Sequence, residues 1–381
     1  MNYFETIFHN LVKQTVLSEL TAGNVIMILI ALFLLYLSAA KGYEIFLLLP
    51  AAFGILTVNL VPELMKQPGT DGSGAGVFYY FSALNKWGIF LPIIFFGIGM
   101  LIDFGPLIAR PVNLIFGVAA QSGIFVAYLM ASGLGLEGKD AASAAMAGSA
   151  DGPVSAFVIG RGGQADLLGP IAVIAYFYMA LGPIIVPRMM SLFTTKKEKQ
   201  VQMSPLRTVS KTEKILFSIG TAILISFVLP SVASVIGMLM LGNLLKESGA
   251  LKFLTDSAAR ALLYISLTFL GIAAGAAASA NNFLQEVTWK VLLIGLAGML
   301  ASMVILIICA KAACLLTGGK INPLACAAAG AALPSTAEVS QKIYQKDSQN
   351  SSILPFAMGA NAAGLLATVM AAGVMLGILG K

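Results

Sequence analysis

Long apolar stretches separated by short polar segments run along nearly the whole of this chain. They lie at 23–40, 44–62, 87–101, 112–134, 167–193, 215–245, 261–280, 289–317 and 352–379. A membrane-spanning helix needs about 20 apolar residues, and the stretch at 215–245 has room for a bent helix or two short ones. The pattern predicts an all-α polytopic membrane protein of about 9–11 transmembrane helices.

Two further segments, 141–160 and 322–337, are rich in Ala and Gly and poor in Leu and Ile. Small residues let helix backbones approach closely. We therefore expect both segments to be broken, re-entrant or internally packed, and not to face lipid.

A hydrophilic segment at 188–214 divides the chain near its middle. Seven Lys and Arg residues outnumber two Glu residues in it, so the positive-inside rule places it in the cytoplasm. We expect an N-terminal membrane half at 1–187, this basic cytoplasmic loop at 188–214, and a C-terminal membrane half at 215–381. Similar polar interruptions in both halves predict two inverted repeats.

Composition agrees with a membrane protein and narrows the chemistry. Hydrophobic residues make up 58% of the chain and charged residues only 10%, whereas soluble domains carry about 25% charged residues. The net charge of +6 is assigned to basic loops, and nothing favours nucleic acid binding. Cys309, Cys314 and Cys326 lack metal-binding spacing and are interpreted as small buried residues, so we expect no metal other than Na⁺.

The first residues do not have the pattern of a cleavable signal peptide. Apolar residues alternate with polar ones between Tyr3 and Val16, which is typical of an amphipathic helix in the membrane interface. An ordinary helix leading into the first span fits the same pattern, and both alternatives stay open.

Asp151 is the most informative single residue, because it lies in Ala147-Gly148-Ser149-Ala150-Asp151-Gly152-Pro153 between long apolar stretches. A charged side chain at membrane depth costs at least about 3 kcal/mol and usually marks an ion or proton pathway. The following Gly and Pro predict a broken helix, which is tolerated there only inside protein or along a cavity. Asp151 also suits a helix N-cap, and the two roles can coincide.

A second polar break is predicted around Asn361, in Met358-Gly359-Ala360-Asn361-Ala362-Ala363-Gly364. Two broken helices, one in each half of the chain, are the sequence signature of a transporter's central binding site. An Asp carboxylate with amide and backbone carbonyl oxygens provides the hard ligands that Na⁺ prefers. The pattern therefore predicts a cation site built from both halves.

Other polar residues are weaker candidates. Tyr176 and Tyr178 can relay a proton, although composition alone favours aromatic packing or an interfacial belt. Asn322, followed by Pro323, offers a neutral oxygen ligand and suits a helix start. Glu338 is either an intramembrane acid or the solvated end of a helix, with the second alternative slightly favoured.

Motifs in a fixed order along the whole chain identify a family resemblance. They are Leu20-Thr21-Ala22-Gly23-Asn24, Lys41-Gly42-Tyr43-Glu44, Gly97-Ile98-Gly99, Asp103-Phe104-Gly105-Pro106-Leu107, Ala150-Asp151-Gly152-Pro153, Ala175-Tyr176-Phe177-Tyr178-Met179-Ala180-Leu181, Gly242-Asn243-Leu244-Leu245-Lys246-Glu247-Ser248-Gly249, Ile321-Asn322-Pro323-Leu324 and Met358 to Gly364. The chain resembles the β subunit of the sodium-translocating biotin-dependent decarboxylases, which act on oxaloacetate, methylmalonyl-CoA, glutaconyl-CoA or malonate.

The resemblance implies a membrane subunit that decarboxylates carboxybiotin on a separate biotin carrier, consumes a proton and moves Na⁺ outward. It implies catalytic roles for Asp151 and Tyr178, and Na⁺ binding by Asp151, Asn322 and Asn361. Tyr176, Glu338 and Lys342 are candidates for the proton or substrate route. The implied partners are a biotin carrier, a carboxyltransferase subunit and a small γ-type subunit, with a homo-oligomer left open. The implied location is the bacterial inner membrane.

The chain departs from the family pattern after Asn322. The family usually has Gly, Ser and Arg where this chain has Cys326, Ala331 and Glu338. These changes crowd a close backbone approach, remove a hydroxyl ligand and reverse a charge that can steer an anion, for which Lys342 is a candidate substitute. They motivate an alternative function, a cation/proton antiporter on the same scaffold without decarboxylase activity.

Overall fold

A computed structural model describes residues 20–69, 74–149, 151–249, 255–330, 335–348 and 351–380. The predicted interfacial helix at the N-terminus and Ala331 lie outside the described residues. Every regular element in the described part of the chain is helical. The helices are α1 (Ala22–Leu35), α2 (Leu48–Leu60), α3 (Val77–Lys86), α4 (Phe90–Leu101), α5 (Gly105–Ala109), α6 (Asn113–Ala120), α7 (Ser122–Gly133), α8 (Gly138–Ala145), α9 (Gly152–Gly162), α10 (Leu168–Phe193), α11 (Lys196–Lys199), α12 (Lys211–Val228), α13 (Ala233–Ser248), α14 (Thr255–Ala276), α15 (Ala280–Phe283), α16 (Glu286–Leu316), α17 (Pro323–Ala327), α18 (Ser335–Asp347) and α19 (Leu354–Ile378).

The predicted class, an all-α polytopic membrane protein, is confirmed. Among the described residues, five helices are long and apolar enough to cross a membrane, or six if the bent pair α3 and α4 is one span. Several other apolar runs are divided into shorter helices and do not enter this number, and the expectation of nine to eleven spans over the whole chain stays a prediction. The run at 215–245, for example, forms α12 and α13, which are separated at Pro230, where the missing backbone N–H interrupts a helix.

Both small-residue segments form broken, internally packed structures, as predicted. In the first broken segment, α8 leads into a 3₁₀ turn at Met146–Ser149 and α9 follows after Asp151. The backbone N–H of Gln164, just past α9, donates to Ser143 Oγ of α8, so the C-terminal end of α9 lies beside α8. In the second broken segment, α17 leads into a 3₁₀ turn at Ala328–Gly330, and α18 begins after four residues that are not described.

The two broken segments contact the same long helix, α16. A methyl group on Gly298 of α16 would come within 2.9 Å of Gly148 Cα in the first segment, and one on Gly330 in the second would come within 2.7 Å of Met303 Sδ of α16. Five residues of helix correspond to about 8 Å of axial rise. The two breaks therefore lie close together along the middle of α16.

The predicted helix break around Asn361 is wrong. Helix α19 continues from Leu354 to Ile378 without interruption. The glycines that suggested a break serve close packing instead: a methyl group on Gly359 would lie 3.0 Å from the Pro106 carbonyl oxygen, and one on Gly364 would lie 2.3 Å from that of Ala329. The second break is formed by the segment after Asn322, against which α19 packs.

A charged cluster joins the ends of α4, α12 and α13 beside the basic loop. Lys214 Nζ lies 2.8 Å from Asp103 Oδ1 and 3.4 Å from Glu247 Oε1. Burial alone would raise the pKa of Asp103, but hydrogen bonds from Lys214 and from the Gly105 backbone N–H hold it below its usual range. Asp103 is therefore ionised at neutral pH and fixes the start of α5 relative to α12.

Candidate functional site in the first broken segment

Asp151 is the residue at which the first broken segment changes direction. Its backbone is extended (φ −122°, ψ 92°), and its Oδ1 accepts the backbone N–H of Val154 at 3.2 Å, so it is the N-cap of α9. The side chain is only 5% exposed. Among the described residues, no cationic side chain forms an ion pair with it. Asp151 thus combines the two predicted roles, since it caps a helix and also places a carboxylate without a cation inside the protein.

Two serines surround the Asp151 backbone and were not predicted as site residues. Ser149 Oγ accepts the Asp151 N–H at 3.1 Å and lies 3.1 Å from Ser155 Oγ. Ser155 Oγ lies within 2.8 Å of both the Met146 and Asp151 carbonyl oxygens. The sequence feature that could have identified them is a serine on each side of the predicted N-cap Asp151. These hydroxyl and carbonyl oxygens form a polar group beside the acid that suits a hard cation.

Tyr176 of α10 closes the other side of the break. Its ring is fully buried and packs against Gly152, where a methyl group would come within 1.9 Å of Cδ1. The Gly152 N–H donates to Met179 Sδ at 3.0 Å. The hydroxyl of Tyr176 is buried and has no hydrogen-bond partner. A buried unpaired hydroxyl is costly, and on a ring packed against the residue after Asp151 it is consistent with a bound ion or a transferred proton.

Tyr178, two residues along α10, faces a different neighbour. Its hydroxyl donates to the carbonyl of Leu292 in α16, and its ring lies against Gly295. The structure therefore places the Tyr178 hydroxyl on α16, and the Tyr176 ring beside Asp151.

Asn322 begins the second broken segment, and Asn361 of α19 packs against it. Asn322 caps α17 by accepting the Leu324 N–H at 2.9 Å, and its amide donates to the carbonyls of Lys199 and Val201 in the basic loop. Asn361, which is 6% exposed, donates from Nδ2 to the Ala328 carbonyl at 3.3 Å. The two amides hold this segment against the loop and α19, respectively.

Glu338 and Lys342 lie on α18 with exposed side chains. The solvated alternative for Glu338 thus agrees with its position. Cys326, in contrast, is buried in α17 with 2% of its surface exposed. The charged candidates in the second segment are exposed, whereas the acid in the first is buried.

Known proteins are similar to this chain along nearly its whole length. The family described as "Na+-transporting oxaloacetate decarboxylase beta subunit" matches residues 23–379. The chain is 42% identical over 379 residues to the methylmalonyl-CoA decarboxylase subunit beta of Veillonella parvula, covering 100% of this chain and 99% of that protein. It is 41% identical over 380 residues to the glutaconyl-CoA decarboxylase subunit beta of Acidaminococcus fermentans, covering 100% of both. It is 37% identical over 424 aligned residues to the oxaloacetate decarboxylase beta chain of Klebsiella pneumoniae, covering 96% of this chain and 97% of that one.

Proposed function

This chain belongs to the family of Na⁺-transporting oxaloacetate decarboxylase beta subunits, and from this membership we propose that it decarboxylates carboxybiotin on a biotin carrier and couples the reaction to outward Na⁺ transport with proton uptake. The proposed location is the bacterial inner membrane. The proposed partners are the biotin carrier, a carboxyltransferase subunit and a small γ-type membrane subunit.

The observation that carries this proposal is the Asp151 break. A buried carboxylate without a cationic partner lies among the oxygens around Ser149 and Ser155, and the ring of Tyr176, whose hydroxyl is unpaired, packs on the next residue, Gly152. A carboxylate in such surroundings is stabilised either by a cation or by a proton. The same group is thereby suited to exchange Na⁺ for H⁺. Asn322 of the second broken segment and Asn361 of α19 are proposed as amide ligands.

The chemistry requires one proton for each turnover. When the bond between the ureido nitrogen and the carboxyl carbon of carboxybiotin breaks, CO₂ leaves, and the electron pair stays on nitrogen and takes up H⁺. If this proton is drawn through the Asp151 site only after Na⁺ has left, decarboxylation and ion movement become coupled. The scaffold then needs a single central acid that is accessible from each side in turn.

Replacing Tyr176 by Phe tests whether its hydroxyl belongs to this site. The ring remains packed on Gly152, and only the unpaired hydroxyl is lost. We expect the Na⁺ concentration for half-maximal decarboxylation to rise about 5- to 10-fold, with an unchanged thermal midpoint. Tyr178→Phe is the matched comparison: the family resemblance gives Tyr178 the catalytic role, but its hydroxyl donates to Leu292, so we propose that the role belongs to Tyr176 and expect Tyr178→Phe to cost about 1 kcal/mol of stability and to leave the Na⁺ requirement unchanged. If Tyr178→Phe raised the Na⁺ requirement and Tyr176→Phe did not, the hydroxyl of Tyr178 would be the one that takes part in ion binding.

The proposed activity is tested by following CO₂ release from a carboxylated biotin carrier by the purified protein in detergent, with and without Na⁺. We expect release that depends on the protein and is stimulated by Na⁺. The alternative, a cation/proton antiporter, is favoured by the exposed Glu338 where the family pattern has Arg. Its signature is Na⁺/H⁺ exchange in vesicles without any CO₂ release, and this result would refute the decarboxylase proposal.

A further inference from the structure

Arg110 lies between α5 and α6 and has a buried guanidinium nitrogen without a partner. Its Nη1 is buried and forms no hydrogen bond, and no carboxylate among the described residues forms an ion pair with it. Its guanidinium carbon lies 5.2 Å from the centre of the Phe356 ring, at the start of α19. A cation–π contact stabilises the charge in part, but a buried guanidinium normally also has an anion or hydrogen-bond acceptor.

A second unpaired donor lies one helical turn away. The Asn113 N–H donates to the Arg110 carbonyl at 3.1 Å, so the two residues are held in one turn. Asn113 is 3% exposed, and its Nδ2 has no hydrogen-bond partner. This nitrogen faces Gly359, where a methyl group would come within 2.8 Å of it. Since Gly359 is one turn after Phe356, both donors lie along the same face of α19.

The surroundings place these donors beside the second broken segment. Phe116, on the helix that Asn113 begins, packs in one hydrophobic cluster with Cys326 of α17. A pocket of about 200 Å³ is lined by Ala109, Leu206, Arg207, Lys214 and Asp103, and it reaches the residue before Arg110 without including Arg110 or Asn113. Lys214 is already paired with Asp103, and Arg207 with Glu213. Arg110 differs from these two cations, because it has no acidic partner among the described residues.

We propose that Arg110 and Asn113 form the subsite that binds the carboxylate of carboxybiotin as the carrier approaches from the side of the basic loop. The proposal rests on the proposed function. A guanidinium binds a planar carboxylate through paired hydrogen bonds, and the Asn113 amide adds a third donor. The subsite supplies a cation to the second broken segment, in which Glu338 contributes a negative charge. Arg110 and Asn113 bind and orient the substrate, and the proton comes from elsewhere.

The test measures kcat and KM for the carboxylated biotin carrier, together with ²²Na⁺ counterflow in proteoliposomes. We expect Arg110→Gln to raise KM roughly 10- to 100-fold, with kcat and counterflow little changed. Arg110→Lys, which keeps the charge but loses the paired geometry, should give an intermediate KM. The control is Arg161→Gln, because Arg161 also forms a cation–π contact, with Phe157, but is exposed at the end of α9.

Asn113→Asp is a second variant, in which the size of the buried side chain is unchanged. The substitution replaces the amide donor by a negative charge that repels a substrate carboxylate, so KM should rise at least as much as in Arg110→Gln. A KM within twofold of wild type for both variants would overturn the subsite while leaving the decarboxylase proposal intact. If Arg110→Gln lost ²²Na⁺ counterflow and turnover to the same extent, the subsite would also be overturned, because Arg110 would then have a structural role. Absence of CO₂ release by the wild-type protein would refute the proposed function itself, and the subsite with it.

Discussion

Asp151→Asn is expected to abolish Na⁺-coupled decarboxylation while leaving the protein folded. Asn is as good an N-cap as Asp, so its side-chain oxygen can still accept the Val154 N–H and start α9. The variant loses only the ability to carry a negative charge and to exchange it for a proton. We expect turnover to fall at least about 100-fold, in line with the loss of a group that transfers a proton, with no loss of thermal stability.

The measurement is Na⁺-stimulated CO₂ release, accompanied by the thermal midpoint in detergent. Asp166→Asn is the matched control, because Asp166 is an exposed acid that follows α9 in the same half of the chain. It should retain wild-type turnover. Full Na⁺-coupled turnover in Asp151→Asn would show that the buried acid is only a helix cap.

Gly152→Ala should inactivate the protein for a steric reason. The added methyl group would lie 1.9 Å from Tyr176 Cδ1 and 2.2 Å from Cε1, and the ring is fully buried, so neither group can move aside freely. Overpacking of this kind costs about 1–3 kcal/mol. We expect a lower thermal midpoint and a loss of most Na⁺-dependent turnover, because the Asp151 cap and the Tyr176 hydroxyl move apart.

The control for this prediction is Gly220→Ala in α12, where a methyl group meets no atom within 4 Å. Alanine is favoured over glycine inside a helix by about 1 kcal/mol, so this variant should be at least as stable as the wild type and fully active. If Gly152→Ala behaved in the same way, the close packing of Tyr176 on the break would not be needed for function.

The first break could be predicted from the sequence, because an acid followed by Gly-Pro does not fit inside a continuous apolar helix. The second break was misplaced at Asn361, since glycines mark both helix interruptions and close helix contacts. Gly359 and Gly364 serve contacts that depend on Pro106 and Ala329, and such long-range neighbours are not evident from local sequence. The inverted relation between the two halves stays a prediction, which the shared contacts with α16 support.

The choice between Tyr176 and Tyr178 shows a second limit. Two residues in a helix are separated by about 200° around its axis, so the two rings must face different neighbours, but the sequence does not indicate which ring faces the break. The unpaired donors of Arg110 and Asn113 also could not be predicted from the sequence. Whether a donor lacks a hydrogen-bond partner depends on the packed structure. In the sequence, an arginine before Pro111 is typical of an ordinary polar turn.

The most direct test of the account is to reconstitute the protein in proteoliposomes with a carboxylated biotin carrier and to follow CO₂ release and ²²Na⁺ movement together. The account predicts that the two rise together when Na⁺ is added, and that both are lost in Asp151→Asn. Sodium exchange without CO₂ release, or CO₂ release that is independent of Na⁺ and of Asp151, would contradict it.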